Sequence, residues 1–294
     1  MALPSFIHPI ISILPDRIYI AMKFWFYQGY LPDLNAPKTL NEKITWLKLN
    51  DRTNLHTECT DKYAVRKYIS NTIGDEYLVP LYFHTVNVKD VRPENINKLP
   101  CIIKTNNDSG GGYFVRDIRS VNWEVIRKAL KYRLSSNYYG KSKEWQYKHI
   151  KPRIIVEKLL EDKNGQIPFD YKVHCFNGKP RMISVDMGRN TNTHYRNWYS
   201  PQWQREPYSW SSPKGRGKST KPSEQDVPKP KTLKEMLQLS KKLAEPFTYV
   251  RVDWYDVNDK LFFGELTFCH DSGLMPIVPK IWDERLGSEL NLSS

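Results

Sequence analysis

The chain reads as an α+β protein. Capped helices with one apolar face alternate with short buried strands, and those strands come as hairpins rather than as strand–helix–strand crossovers. The 294 residues suffice for one large domain or two modest ones with a substantial core. Hydrophobic residues make up 39% and aromatics 13%, which excludes collagen-like, coiled-coil and wholly disordered chains. No uncharged apolar run reaches the ~20 residues a spanning helix needs, so an integral membrane protein is excluded too.

The segment Phe6 to Tyr30 is aromatic and aliphatic, but Pro9, Pro15, Asp16, Arg17 and Lys23 interrupt it. The order is wrong for a signal peptide. A helix packed on the body is expected, with the run from Lys23 to Tyr27 able to rest in a membrane interface. Thr39-Leu40-Asn41-Glu42 is a capping box, opening a helix with Leu40, Ile44 and Leu47 on one face. Thr60 is expected to cap another, with Asp61 and Lys62 in its first turn and Gly74 at its end. Pro100 introduces a strand, Cys101 to Lys104; a polar loop, Thr105 to Gly112, leads into a second strand, Tyr113 to Val115. Trp123, Ile126, Leu130 and Leu134 mark a helix, Ile154 to Val156 a strand, and Asn177-Gly178 a hairpin turn. Residues 212–231 are rich in Pro, Gly, Ser and Lys and read as a flexible basic insertion. Gly217-Lys218-Ser219 within it is no phosphate-binding P-loop, because Ser212 stands where the first glycine belongs. Thr232-Leu233-Lys234-Glu235 reads as a second capping box, with Leu233, Met236, Leu237 and Leu243 inward.

The 45 Lys+Arg against 32 Asp+Glu leave a net charge of +13, which favours an acidic partner: nucleic acid, anionic lipid, a nucleotide, or a polymer bearing carboxylates or phosphates. Cys59, Cys101, Cys175 and Cys269 are far apart, without metal-ligand spacing, and read as reduced thiols in the cytoplasm.

Four segments carry chemistry. Lys104 and the run Ser109-Gly110-Gly111-Gly112 could lay backbone N–H groups against phosphate oxygens; since the glycines lead into a strand, they suggest a hairpin lid. Tyr249 to Phe268 reads as an antiparallel hairpin with a three-residue loop, Asn258-Asp259-Lys260, that pairs Asp253 with Glu265 and Arg251 with Thr267. Paired carboxylates repel unless a cation lies between them: Mg²⁺ with nucleotide phosphates, or Arg251 itself. Phe263 is expected on the carboxylate face, and the metal is the favoured reading. Glu157 to Leu160 ends a buried strand and could serve as an adenine hinge, and Asp170, Lys172 and His174 share one strand face.

In this order the motifs resemble the ATP-grasp superfamily. The closer resemblance is to the TupA-like family of surface-polysaccharide biosynthesis, carried by Pro37 to Lys43, Asp61 to Arg66, Asp170-Tyr171-Lys172 and Gly264 to Phe268. It implies two α+β lobes, with antiparallel sheets, clamping a nucleotide: an N-terminal helical segment over 1–59, then an ATP-grasp domain over 60–290, divided into lobes at 60–160 and 161–290. It also implies ATP and Mg²⁺ as cofactors. Lys62, Lys104, Ser109, Gly110, Gly111 and Lys172 would face phosphates, and Glu157 and Leu159 adenine. Asp253, Glu265 and Thr267 would hold the metal, although the superfamily commonly has asparagine at the third position. Arg251 would act on the transferring phosphoryl group; Arg189 and Ser272 would take the substrate carboxylate. The implied activity is an ATP-dependent ligase joining an amino acid to an acidic sugar or polysaccharide precursor. The expected place is the cytoplasm, with peripheral contact at the inner face of the plasma membrane. The alternatives are a glycosyltransferase of the same pathway, for which no DxD-like motif is present, and a single-strand nucleic-acid binder. The latter would use Lys214 to Lys231 with Trp203, Tyr208 and Trp210; it leaves the ordered motifs unexplained, so no nucleic-acid partner is expected.

Overall fold

The computed structural model describes residues 14–188, 194–215 and 218–292. Helices Asp16–Gln28 (α1), Leu40–Asn50 (α2), Asn54–Thr60 (α3) and Val65–Thr72 (α4) lead into strands Leu81–Thr85 (β1), Cys101–Thr105 (β2) and Tyr113–Val115 (β3). Helices Trp123–Ser135 (α5) and Tyr138–Ser142 (α6) precede strand Ile154–Lys158 (β4). Next come Asp170–Phe176 (β5), Lys179–Met187 (β6), Tyr195–Tyr199 (β7) and the short strands Ser209–Trp210 (β8), Pro213–Gly215 (β9) and Lys218–Ser219 (β10). Helix Leu233–Ala244 (α7), strands Tyr249–Val257 (β11), Lys260–Thr267 (β12) and Ile277–Val278 (β13), and helix Ile281–Glu289 (α8) complete the chain.

Two antiparallel sheets organise these elements. The first has strand order β1-β4-β2-β3 and packs on α5 through Ile103, Val115, Ile126, Leu130 and Val156. The second has order β12-β11-β5-β6-β7 and carries the larger core. Leu40, Ile44, Leu47, Cys59, Val65 and Ile69 belong to that larger core, together with α7 and α8. Helices α2 to α4 therefore pack with the second sheet, so the boundary expected near residue 60 does not divide the cores.

The capping box at Thr39 forms as expected: Thr39 accepts from the Glu42 N–H, and Glu42 accepts from the Thr39 N–H. The other two cap assignments differ. Thr60 ends α3, and Asp61 turns the chain instead: its Oδ1 accepts from the N–H groups of Tyr63 and Ala64 before α4 starts at Val65. Thr232 makes no cap bond because its hydroxyl donates to Asp256, while Glu235 accepts from the Tyr77 hydroxyl. Leu239, not Leu237, completes the buried stripe of α7.

Segment 212–231 is tied to the body at several described points. Ser212 and Thr220 exchange hydrogen bonds. The Val227 N–H donates to the Tyr199 hydroxyl, and its carbonyl accepts from Trp203 Nε1. Trp210 and Tyr208 are buried, and Trp203 stacks on Tyr199 at 4.5 Å. These aromatics serve the core and are not available as base-stacking platforms.

Candidate active site between the two sheets

The polar row of the second sheet is built by register. Glu265, Asp253, Lys172, Ser184 and Trp198 lie opposite one another on consecutive strands β12, β11, β5, β6 and β7. Asp253 opposes Glu265, and Arg251 opposes Thr267, as the sequence predicts. The route to that register differs from the expectation. Val257 pairs with Lys260 across a two-residue turn, and a bulge at Gly264 shifts the pairing by one. The bulge also exchanges the faces beyond it: Leu261 and Phe263 join the core, so Phe263 does not share the carboxylate face.

The cation between the two carboxylates is the Arg251 guanidinium. It grips Asp253 through Nε at 2.6 Å and Nη2 at 2.7 Å, reaches Glu265 Oε1 at 3.0 Å, and donates from Nη1 to His270 Nδ1 at 2.7 Å. Four of its five N–H groups are thus engaged, and the side chain is buried. Lys172 is buried among Asp170, Asp253 at 3.1 Å and Asp186 at 3.5 Å, so its charge organises acids rather than reaching toward a phosphate.

From Lys172 the charges continue in a closed circuit. Arg196 pairs with Asp186 at 2.7 and 2.9 Å and lies 3.9 Å from Asp271; Asp271 lies 3.4 Å from His270, which returns to Arg251. Burial holds His270 and His174 well below the usual imidazole range, helped for His270 by His174 and Arg251 and for His174 by Arg251 and Arg196. Both are therefore neutral, and His270 accepts at Nδ1. Burial would raise the Asp186 carboxyl, but Arg196 and Lys172 hold it well below the ordinary aspartate value. No local spacing in the sequence marks Asp186, Arg196 or His270 as members of this cluster.

The opposite wall is made by Lys104 and the glycine-rich loop of the first sheet together with Lys62, from the turn between α3 and α4. Lys62 donates to the Asp108 carbonyl and lies 3.9 Å from the Asp108 carboxylate; burial lowers its pKa, while the charges of Glu265 and Asp108 raise it. That neighbourhood joins a lysine and a lid from one side to a carboxylate from the other. Lys104 Nζ pairs with Glu157 Oε2 at 2.6 Å, and Arg66 Nη1 with Glu157 Oε1 at 3.2 Å. The Glu157 side chain thus fixes two cations. The Leu159 N–H is held by the Pro100 carbonyl at 3.0 Å, whereas the Leu160 N–H has no partner among the described residues.

The glycine-rich loop has a fixed base and an exposed tip. Asn106 Nδ2 donates to Asp61 and to the Lys151 carbonyl, and Asp108 accepts from Thr105 at 2.7 Å and pairs with Arg133 at 2.7 Å. Ser109 to Gly112 are exposed. Gly111 has φ +74°, and a Cβ there would meet the Arg133 guanidinium at 2.1 Å. Gly111→Ala should therefore add ~1–2 kcal/mol of left-handed strain and displace Arg133. Calorimetry should show ATP affinity about tenfold lower, with the melting temperature within a few degrees of wild type.

Ser272, at φ 58°, donates to Glu144, and its carbonyl accepts from Lys48 at 2.9 Å. Burial pushes the Glu144 carboxyl up. Ser272 thus lies in the 270–273 turn that also carries Asp271. Arg189 lies outside the described residues. A groove of about 610 Å³ lies elsewhere, between Tyr30, Lys38, Lys43 and Lys280.

Of the carboxylate pair, the Glu265 side chain is 38% exposed, whereas both Asp253 oxygens are held by Arg251 and Lys172, so a Mg²⁺ ion completed by nucleotide phosphates would have to draw Asp253 away from those cations. Among the described residues no group of three or more His, Cys, Asp or Glu is placed to hold a metal alone. The Thr267 hydroxyl donates to Glu265 Oε1 at 3.3 Å and so helps to fix that carboxylate. No helix of the described residues is long and apolar enough to cross a membrane.

Solved structures with similar folds include the L-amino acid ligase from Bacillus licheniformis, at 12% identity and TM-score 0.48, covering 95% of this chain and 63% of that one. The D-alanine–D-alanine ligase from Bacillus anthracis aligns at 16% identity and TM-score 0.42, over 71% of this chain and 56% of that one. The Helicobacter pylori D-alanine–D-alanine ligase aligns at 13% and TM-score 0.43, over 85% and 69%. The chain thus spans little more than half the length of the Bacillus anthracis ligase. No curated protein sequence matches it. The family model described as TupA-like ATPgrasp matches residues 42–291, most of the sequence, and the chain therefore belongs to the TupA-like ATP-grasp family.

Proposed function

We propose that the protein is an ATP-dependent carboxylate–amine ligase that joins an amino acid to an acidic sugar on a surface-polysaccharide precursor. The observation that supports this reading is that Lys62, whose ammonium donates to the Asp108 carbonyl at the base of the glycine-rich loop, feels the charge of Glu265, which stands opposite Asp253 in register. A phosphate chain clamped between these walls would meet cations from one sheet and the carboxylate pair of the other.

In the first half-reaction a substrate carboxylate oxygen attacks the γ-phosphorus of ATP, ADP leaves, and an acyl phosphate forms. In the second, an amine nitrogen attacks the acyl carbon, the C–O bond to phosphate breaks, and the amine gives up a proton. Positioning and charge stabilisation account for most of such a rate enhancement, so a protein nucleophile is not required. Lys62 and Lys104 take phosphates, with Glu157 orienting Lys104. Asp253 and Glu265 would hold Mg²⁺, which when bound shields charge on the phosphates. Arg251 keeps the two carboxylates paired at the reacting end, and its remaining N–H is the one left for the transferring group. Lys172 fixes Asp253 from below. Adenine would take its hinge hydrogen bond from the Leu160 N–H, with Leu159 beside it. Ser272, and Arg189 by its sequence position, remain the candidates for the substrate carboxylate. The net charge of +13 suits an acidic acceptor. Four free, buried cysteines suit a reducing cytoplasm.

The test is ATP turnover with uronic acids and amino acids, beside uridine-diphosphate sugars. ADP release that requires both a carboxylate and an amine, with hydroxylamine replacing the amine to give a hydroxamate, is the expected result. Sugar transfer from a nucleotide sugar without ADP release would replace the ligase by a glycosyltransferase.

A further inference from the structure

Helix α1 is attached to the body by one face only. Tyr19, Ile20 and Phe24 are buried, the Tyr19 hydroxyl donates to the Lys141 carbonyl at 2.7 Å, and Gln28 donates to the Leu274 carbonyl at 3.2 Å. The opposite face is apolar. Ile18, Met22 and Trp25 follow one another at helical spacing and are 50%, 42% and 56% exposed; Leu31, just past the Gly29 cap, is 68% exposed. Four large apolar side chains thus lie in water on one short segment, which marks an interaction surface.

Charge identifies what covers it. Arg17 and Lys141 are exposed on this part of the molecule. Asp16, the one acid of the helix, is already paired with Arg52 at 3.2 Å and Lys143 at 3.4 Å and accepts from Tyr139 at 2.7 Å. The thirteen residues before Leu14 contain no Asp, Glu, Lys or Arg and include Phe6, Ile7, Ile10, Ile11 and Ile13. A protein of net charge +13 that presents Trp, Ile and Met between cations, next to an uncharged apolar segment, matches the lipid–water interface of an anionic bilayer. We propose that the exposed face of α1 docks on an anionic membrane, inserting Ile18, Met22 and Trp25 while Arg17 and Lys141 meet the headgroups. This surface stands apart from the nucleotide site and does not depend on the ligase reading.

The full chain is tested by co-sedimentation with vesicles of phosphatidylcholine containing about 30% phosphatidylglycerol, against pure phosphatidylcholine. Wild type should bind the anionic vesicles at least about tenfold more tightly, and added salt should weaken that binding. Ile18→Ser/Met22→Ser/Trp25→Ser should lose at least about tenfold with an unchanged melting curve, because the three side chains are exposed. Arg17→Glu/Lys141→Glu should lose the preference for anionic vesicles while keeping the apolar face. Absence of wild-type binding, or equal binding by the triple-serine variant, would overturn the proposal. So would a self-associating wild type that the serines make monomeric while vesicles take up neither.

Discussion

Lys172→Met should lower the unfolding free energy at neutral pH by ~3–5 kcal/mol, the usual result of removing one partner from a buried charge cluster. Lys172 is the positive centre of Asp170, Asp186 and Asp253, all buried, and methionine would leave those acids to Arg196 and Arg251. The pH dependence follows from Asp186, whose carboxyl Arg196 and Lys172 hold well below its ordinary value against the effect of burial. A depressed carboxylate contributes stability above its unfolded pKa of about 3.9, and that stability is lost as pH falls toward the folded value. The gap between wild type and the methionine variant should therefore be full at pH 7 and narrow below about pH 4. Urea unfolding at both pH values measures it. A difference under about 1 kcal/mol at pH 7 would mean that Lys172 is free enough to serve a bound phosphate.

Asp253→Asn should weaken Mg²⁺-dependent ATP binding at least about tenfold and lower turnover by about 10²–10³. Asp253 opposes Glu265 in register and fixes both Arg251 and Lys172, so the change loosens the metal pair and the cations behind it. Part of that effect will be structural, since two buried cations lose a partner. Glu265→Gln separates the two contributions. Its carboxylate is 38% exposed and meets Arg251 at 3.0 Å, so its loss should change stability by only about 0.5 kcal/mol while still removing a metal ligand.

The sequence is legible wherever local pattern and final packing agree. The Thr39 capping box, the strand at Cys101 and the Asp253–Glu265 pair are all visible in it, and so is the order of motifs that marks the family. It is less legible where bulges intervene. A two-residue turn at Asn177-Gly178 would set Asp170 opposite Val185, on the wrong face for Asp186. The irregularity between His174 and Cys175 in that ladder moves the pairing by one and puts Asp186 opposite Asp170. Arg196 enters through the next strand, and His270 through a turn with Asp271 and Ser272 in left-handed conformations. Neither has a local spacing that would reveal it. In the β11–β12 hairpin the expected register is reached with a shorter turn and a bulge at Gly264, which is why Phe263 falls on the core face. The cap at Thr232 fails for a tertiary reason, since Asp256 takes its hydroxyl.

The central claim is that Lys62, Lys104, Asp253 and Glu265 form one Mg²⁺–ATP site across the two sheets. Isothermal calorimetry of ATP with and without Mg²⁺, on wild type and Glu265→Gln, tests it most directly. The account predicts Mg²⁺-dependent ATP binding to wild type that falls at least about tenfold in the glutamine variant while its melting temperature stays within a few degrees. Binding of equal strength in both proteins, or a wild type that binds a nucleotide sugar and not ATP, would contradict it.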